Sequence, residues 1–146
     1  MSARKAAEMI GRASGEITGR ELQEFIFLHE LGHASDFLRN FAMDPDIGEA
    51  NAVQAWKDAS AQEMEGLPVP HVFPNELSEA ATKYGDVTML ADEFPEAKVA
   101  MDRLGFTSLQ QLLDAQETAY RNLRKESFAD KFAADLFKAR NNKKAQ

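Results

Sequence analysis

His29-Glu30-Leu31-Gly32-His33 is the stretch from which the rest of this chain is read. Two histidines four residues apart lie one turn above the other on one face of an α-helix, and there they can grip the same metal ion. The glutamate beside the first histidine stands where it can take a proton from water that such a metal activates. H-E-x-x-H on a helix is the pattern of a zinc-dependent hydrolase, most often a metallopeptidase. The flanks predict that helix. Leu22, Phe25, Ile26 and Phe27 precede the motif, Phe37, Leu38 and Phe41 follow it, and no proline interrupts 20–43. Together they suggest a broad apolar stripe on a buried helix. Thr18-Gly-Arg-Glu21 has the form of a capping box, and Asp44-Pro45 is a stop. Gly32 inside a helix costs about 1 kcal/mol relative to alanine. A close approach of other backbone, or of substrate, would explain it.

Composition narrows the donors. The 146 residues hold three histidines, His29, His33 and His71, and no cysteine. A thiolate site and a disulfide framework are thereby excluded, so any zinc must be held by histidine and carboxylate. The net charge of −7 argues against a nucleic-acid surface. The basic stretch Lys138-Ala-Arg140-Asn-Asn-Lys143-Lys144 reads as a solvated helix end with a frayed tail. No run approaches the roughly 18 apolar residues needed to span a membrane, and the N-terminus lacks the apolar middle of a secretory signal. A cytoplasmic protein, one exported without a classical signal peptide, or a domain of a larger protein is expected. Its partner would be a peptide or protein substrate, with no nucleic acid and no membrane insertion.

Along the chain the pattern is almost entirely helical. A short helix is predicted within Ser2 to Ala13, then the motif helix, then a helix from Ile47 to Met64. The segment from Gly66 to Pro74, with three prolines, is irregular. Asn75 to Tyr84 reads as a helix, and Val87 to Phe94 is ambiguous. Pro95 to Leu104 reads as a helix closed by Gly105. Thr107 or Ser108 opens a further helical stretch, with a break near Arg124, that runs through Phe137. The expected fold is mainly α, a single domain over 1–146 with at most a small or reduced β-sheet, and 138–146 as a flexible basic tail.

A catalytic zinc usually takes three protein ligands and keeps one position for water. Two are His29 and His33; the third is His71 or a carboxylate. Glu126-Ser-Phe-Ala-Asp130-Lys-Phe132 offers the favoured carboxylate. Glu126 and Asp130 are four apart and share a helical face, with Phe128, Phe132 and Leu136 to anchor that helix in the core. One carboxylate can ligate the metal while the other accepts the free ring N–H of a ligand histidine and fixes its tautomer. Asp36, three residues after His33, is either such an acceptor or a local salt-bridge partner.

The two segments resemble a known family. His29-Glu-Leu-Gly-His33-Ala-Ser-Asp36 is similar to the H-E-x-G-H-x-x-D element of anthrax-lethal-factor-like peptidases, zincins with a glutamate third ligand. Glu126-Ser-Phe-Ala-Asp130-Lys-Phe132 is similar to their E-x-F-A-E/D-x-F element. The resemblance implies zinc held by His29, His33 and Glu126, with Glu30 as general base. It also implies an active-site tyrosine shortly before the third ligand, the place Tyr120 takes, as a catalytic contact. Tyr120, Tyr84 or His71 would then stabilise the tetrahedral oxyanion. One departure stands out. Zincins carry a β-sheet ahead of the H-E-x-x-H helix, and its edge strand pairs with the substrate; the residues ahead of His29 read as helical. Two other readings follow, a zinc-binding but inactive regulatory or toxin-associated module, and a helical interaction domain with a chance motif.

Overall fold

The computed structural model describes residues 1–13, 15–67 and 95–144. His71, Tyr84 and the elements expected between Pro68 and Phe94 lie outside the described residues. The fold is mainly α, and among the described residues there is no strand. Two compact units are present. Residues 1–61 and 124–146 form the first, and residues 62–123 form the second.

The first unit begins with helix α1, Ala3–Met9, capped by the Ser2 hydroxyl, which accepts from the Lys5 N–H. Helix α2, Gly19–Phe37, carries the motif. The expected capping box opens it: Thr18 Oγ1 accepts from the Glu21 N–H at 3.2 Å, and the Glu21 carboxylate accepts from the Thr18 N–H at 2.9 Å. After Phe37 the chain stays helical but widens into a π turn, Leu38–Ala42, closed by the Met43 N–H on the Leu38 carbonyl at 3.0 Å. Asp44 then caps its own turn by accepting from the Asp46 N–H. A 3₁₀ turn, Glu49–Asn51, leads into helix α3, Ala52–Glu65.

In the second unit, helix α4 is Pro95–Leu104 and helix α5 is Leu109–Arg121. Gly105, at φ +73°, lets the Phe106 N–H fold back onto the Met101 carbonyl, so α4 ends in a Schellman motif. Ser108 and Gln111 form a second capping box at the start of α5. The chain then returns to the first unit as helix α6, Arg124–Lys144. The basic stretch expected as a flexible tail is helical through Lys144. Phe137 is buried just ahead of it, and Arg140 pairs with Glu24 at 2.6 Å.

Helices α2 and α6 run antiparallel, as their contacts show. Glu24 pairs with Arg140, Phe25 meets Phe137, His29 meets Asp130, and Asp36 meets Arg124. One set ascends as the other descends. At one end Phe25 and Phe137, with ring centroids 6.3 Å apart, join Ala6, Ala7, Ile10, Ile17, Ala133 and Ala134 in a continuous apolar core. The other end of the seam is polar and carries the site.

Two expectations about burial need correction. The apolar residues of α2 and of the π turn after it do not all face inward, since Phe25 is buried while Phe27 is 63% exposed and Leu38 53% exposed. On α6 the large residues Phe128, Phe132 and Leu136 are not the anchor. The buried face is Glu126, Ala129, Asp130, Ala133, Ala134 and Phe137. The reason lies at Gly32. A Cβ there would sit 2.7 Å from the Ala129 Cα and 3.0 Å from its carbonyl oxygen. The two helices touch backbone to backbone, which only small residues on both sides permit.

Candidate metal centre

The motif helix presents His29 and His33 toward α6, and α6 returns Glu126 from its first turn. His29 Nε2 and His33 Nε2 are 3.0 Å apart. Glu126 Oε2 lies 3.1 Å from His29 Nε2, and its Oε1 lies 3.4 Å from His33 Nε2. Donors about 2.0–2.1 Å from a tetrahedral zinc are separated from one another by about 3.4 Å. The separations between neighbouring donors, with one Glu126 oxygen facing each ring, are close to that spacing. His29 and Glu126 are buried, and His33 is partly open. This group can bind a metal ion. It is the close approach at Gly32 that brings α6 near enough for Glu126 to reach both rings.

The surroundings complete the arrangement. Asp130 Oδ1 lies 2.9 Å from His29 Nδ1. An N–H at Nδ1 directed to that carboxylate leaves the Nε2 lone pair facing the other donors, as a metal ligand needs. Burial pushes the His29 pKa down, but hydrogen bonds and charge from Asp130 and Glu126 outweigh it and raise the pKa to about 9. Two buried carboxylates thus demand a positive charge at this point, and a proton on His29 supplies it when no cation does. His33 Nδ1 is buried and has no hydrogen-bond partner among the described residues. Glu30 is exposed, next to His29 in sequence, and its side chain makes no hydrogen bond or ion pair with the described residues. Its carboxylate is free to act on something from outside.

Asp36 is a salt-bridge partner and not an acceptor for an imidazole. Its two oxygens accept from Arg124 Nη1 and Nη2, each at 2.9 Å, and Oδ1 also accepts from Asn40 Nδ2 at 2.7 Å. Burial alone would raise its pKa, but Arg124, Asn40 and Trp56 hold it below the usual carboxylate value. Tyr120 lies in the last turn of α5, in the second unit, with the Arg121 guanidinium 5.0 Å from its ring centroid. It is not among the residues that the first unit gathers. Sequence reasoning passed over Arg124 and Asn40. Arg124 stands two residues before Glu126, as Asp36 stands three after His33, and that parallel was the available signal.

Comparisons with protein families, with curated proteins and with solved structures find no match to this chain.

Proposed function

We propose that this chain is a zinc-dependent metallopeptidase, with His29, His33 and Glu126 holding the metal and Glu30 serving as general base. The observation that carries the proposal is the convergence of two imidazole nitrogens 3.0 Å apart on one carboxylate, whose two oxygens lie 3.1 and 3.4 Å from them, built from two helices far apart in sequence. A chance H-E-x-x-H does not call for a buried carboxylate across from it with a second carboxylate on the back of the first ring. When bound, zinc supplies a Lewis acid that polarises the scissile carbonyl and lowers the pKa of water to about 7. Asp130 keeps His29 in the ligating tautomer. Glu30 accepts a proton from the attacking water as its oxygen bonds to the carbonyl carbon. It then delivers that proton to the amine as the C–N bond breaks. Tyr120 is carried into this scheme by the family resemblance, as a donor to the oxyanion.

The test is metal content by mass spectrometry, wild type beside Glu126→Ala, followed by digestion of a peptide library. One zinc per chain, lost in Glu126→Ala, is the expected result. Glu30→Gln is expected to keep the zinc and to lose about 10²–10⁴-fold in hydrolytic rate. No zinc after reconstitution sinks the whole reading. A second reading, a zinc-binding module that cuts no peptide, is favoured by the helices that pack the site where zincins use a sheet. Stoichiometric zinc with no cleavage of any peptide would select it.

A further inference from the structure

We propose that the Asp36–Arg124 ion pair is the positioning device of the metal centre, a clasp that sets where Glu126 stands relative to His29 and His33. This rests on the metal-site reading above. Asp36 has no exposed surface and lies one helical turn beyond His33 on the inward face of α2. Arg124 is the first residue of α6, two before Glu126. The pair therefore joins the two helices one turn beyond the ligands, at the end of the seam away from the Phe25–Phe137 core. The join is two-pronged, with both guanidinium nitrogens on both carboxylate oxygens. Such a fork fixes distance and angle together, which a single charge contact does not.

The π turn serves the same carboxylate. It carries Asn40, whose Nδ2 donates to Asp36 Oδ1, and the buried Phe41, whose ring lies 5.7 Å from the Arg124 guanidinium carbon. The buried acid thus has its oxygens filled by Arg124 and Asn40, and the guanidinium has a ring against it. These partners tie Asp36 to α6 and to the π turn. Asp36 and Arg124 act on the centre through the helices that carry the ligands, so they are positioning residues and touch no reacting atom.

The same two helices supply the control. Arg140 and Glu24 also join α6 to α2, at the opposite end of the seam, beside the apolar core. Zinc affinity is measured by chelator competition on the full chain for wild type, Asp36→Asn, Arg124→Gln, Arg124→Lys, the Asp36→Asn/Arg124→Gln double variant and Arg140→Gln. Metal-free thermal stability and helical circular dichroism are measured on the same samples. Asp36→Asn and Arg124→Gln are each expected to weaken zinc about 10–100-fold, the range for groups that orient ligands. The double variant is expected to lose no more than either single one. Arg124→Lys, which keeps the charge but loses the fork, is expected to fall in between. Arg140→Gln is expected to keep wild-type zinc affinity whatever it does to stability.

Wild-type affinity in Arg124→Gln and Asp36→Asn, with zinc still bound by the native chain, overturns the clasp and leaves the metal site standing. An equal loss in Arg140→Gln also overturns it, because any loosening of the seam would then suffice. Absence of zinc from the native chain overturns both proposals at once. If Asp36→Asn loses its helical signal, Arg124→Lys decides the matter, since its solvent-facing ammonium leaves no unpaired buried charge on α6.

Discussion

Asp130 governs how firmly His29 can hold a cation, because it sits on the far side of the ring from the ligating nitrogen. Asp130→Asn keeps the shape and removes the charge. It is expected to weaken zinc about 10–100-fold and leave the stoichiometry at one, measured by chelator competition. Unchanged affinity would count against the tautomer argument. The proton on His29 gives a pH signature with a definite sign. Its pKa is raised to about 9 in the metal-free protein. Zinc must displace that proton, so apparent affinity is expected to rise from pH 6 to about pH 9 and then level off. In the metal-free protein the same raised pKa contributes stability that is full below about pH 6.5 and is lost as pH climbs through 9. A flat zinc affinity between pH 7 and 9 would show that His29 is already neutral there. At this scale much was legible from sequence. The spacing of His29 to His33 and of Glu126 to Asp130 is local, and one turn of helix places both partners whatever the rest of the chain does. The partner of Asp36 was not read, because Arg124 is 88 residues away and only its place two residues before Glu126 hinted at the pairing.

Helix against helix, the decisive contact is Gly32 on Ala129. Gly32→Ala gains about 1 kcal/mol of helix propensity. Against that stands an overpacking cost of about 1–3 kcal/mol, at the upper end because the obstacle is backbone and cannot rotate away. The cost wins. The variant is expected to melt lower than wild type and to bind zinc more weakly, since α6 must move off and take Glu126 with it. A Gly32→Ala chain as stable as wild type, with native zinc affinity, would show that the two backbones have room to spare. The glycine was legible as a demand for close approach, but the face of α6 that meets it was misread. Phe128, Phe132 and Leu136 form the more hydrophobic stripe, and a reading by hydrophobicity selects them. A backbone-to-backbone seam selects by size instead, so Ala129, Ala133 and Ala134 took the interior. The helix ends were easier. Thr18 with Glu21 formed the capping box the pattern put there, and Ser108, one of the two residues expected to open the later helix, caps it with Gln111, which the pattern had not singled out.

At the scale of the whole molecule, the two units give metal removal a particular form. Only the first unit holds His29, His33 and Glu126. Zinc at about 100 times its dissociation constant adds about 2.7 kcal/mol to the stability of whatever unfolds with the site. For a unit of this size that corresponds to about 11–22 °C. Calorimetry with and without a chelator is expected to shift the transition of the first unit by that amount. A thermogram unchanged by chelator, on a chain known to carry zinc, would mean that the metal holds nothing together. The mainly helical class was legible from the absence of strand alternation. The discontinuity of the first unit was not, because the return of α6 to α2 is a long-range pairing that periodicity does not encode.

That discontinuity sets an order of events during synthesis. The motif is synthesised before Glu126, which lies 93 residues after His33. At about 5–20 residues per second, the two histidines wait roughly 5–20 seconds for a carboxylate to arrive. A chain released early, anywhere before α6, would carry the whole motif and no centre. The donor set is therefore incomplete until Glu126 has been made, and His29 and His33 spend that interval without the carboxylate that faces them in the folded chain.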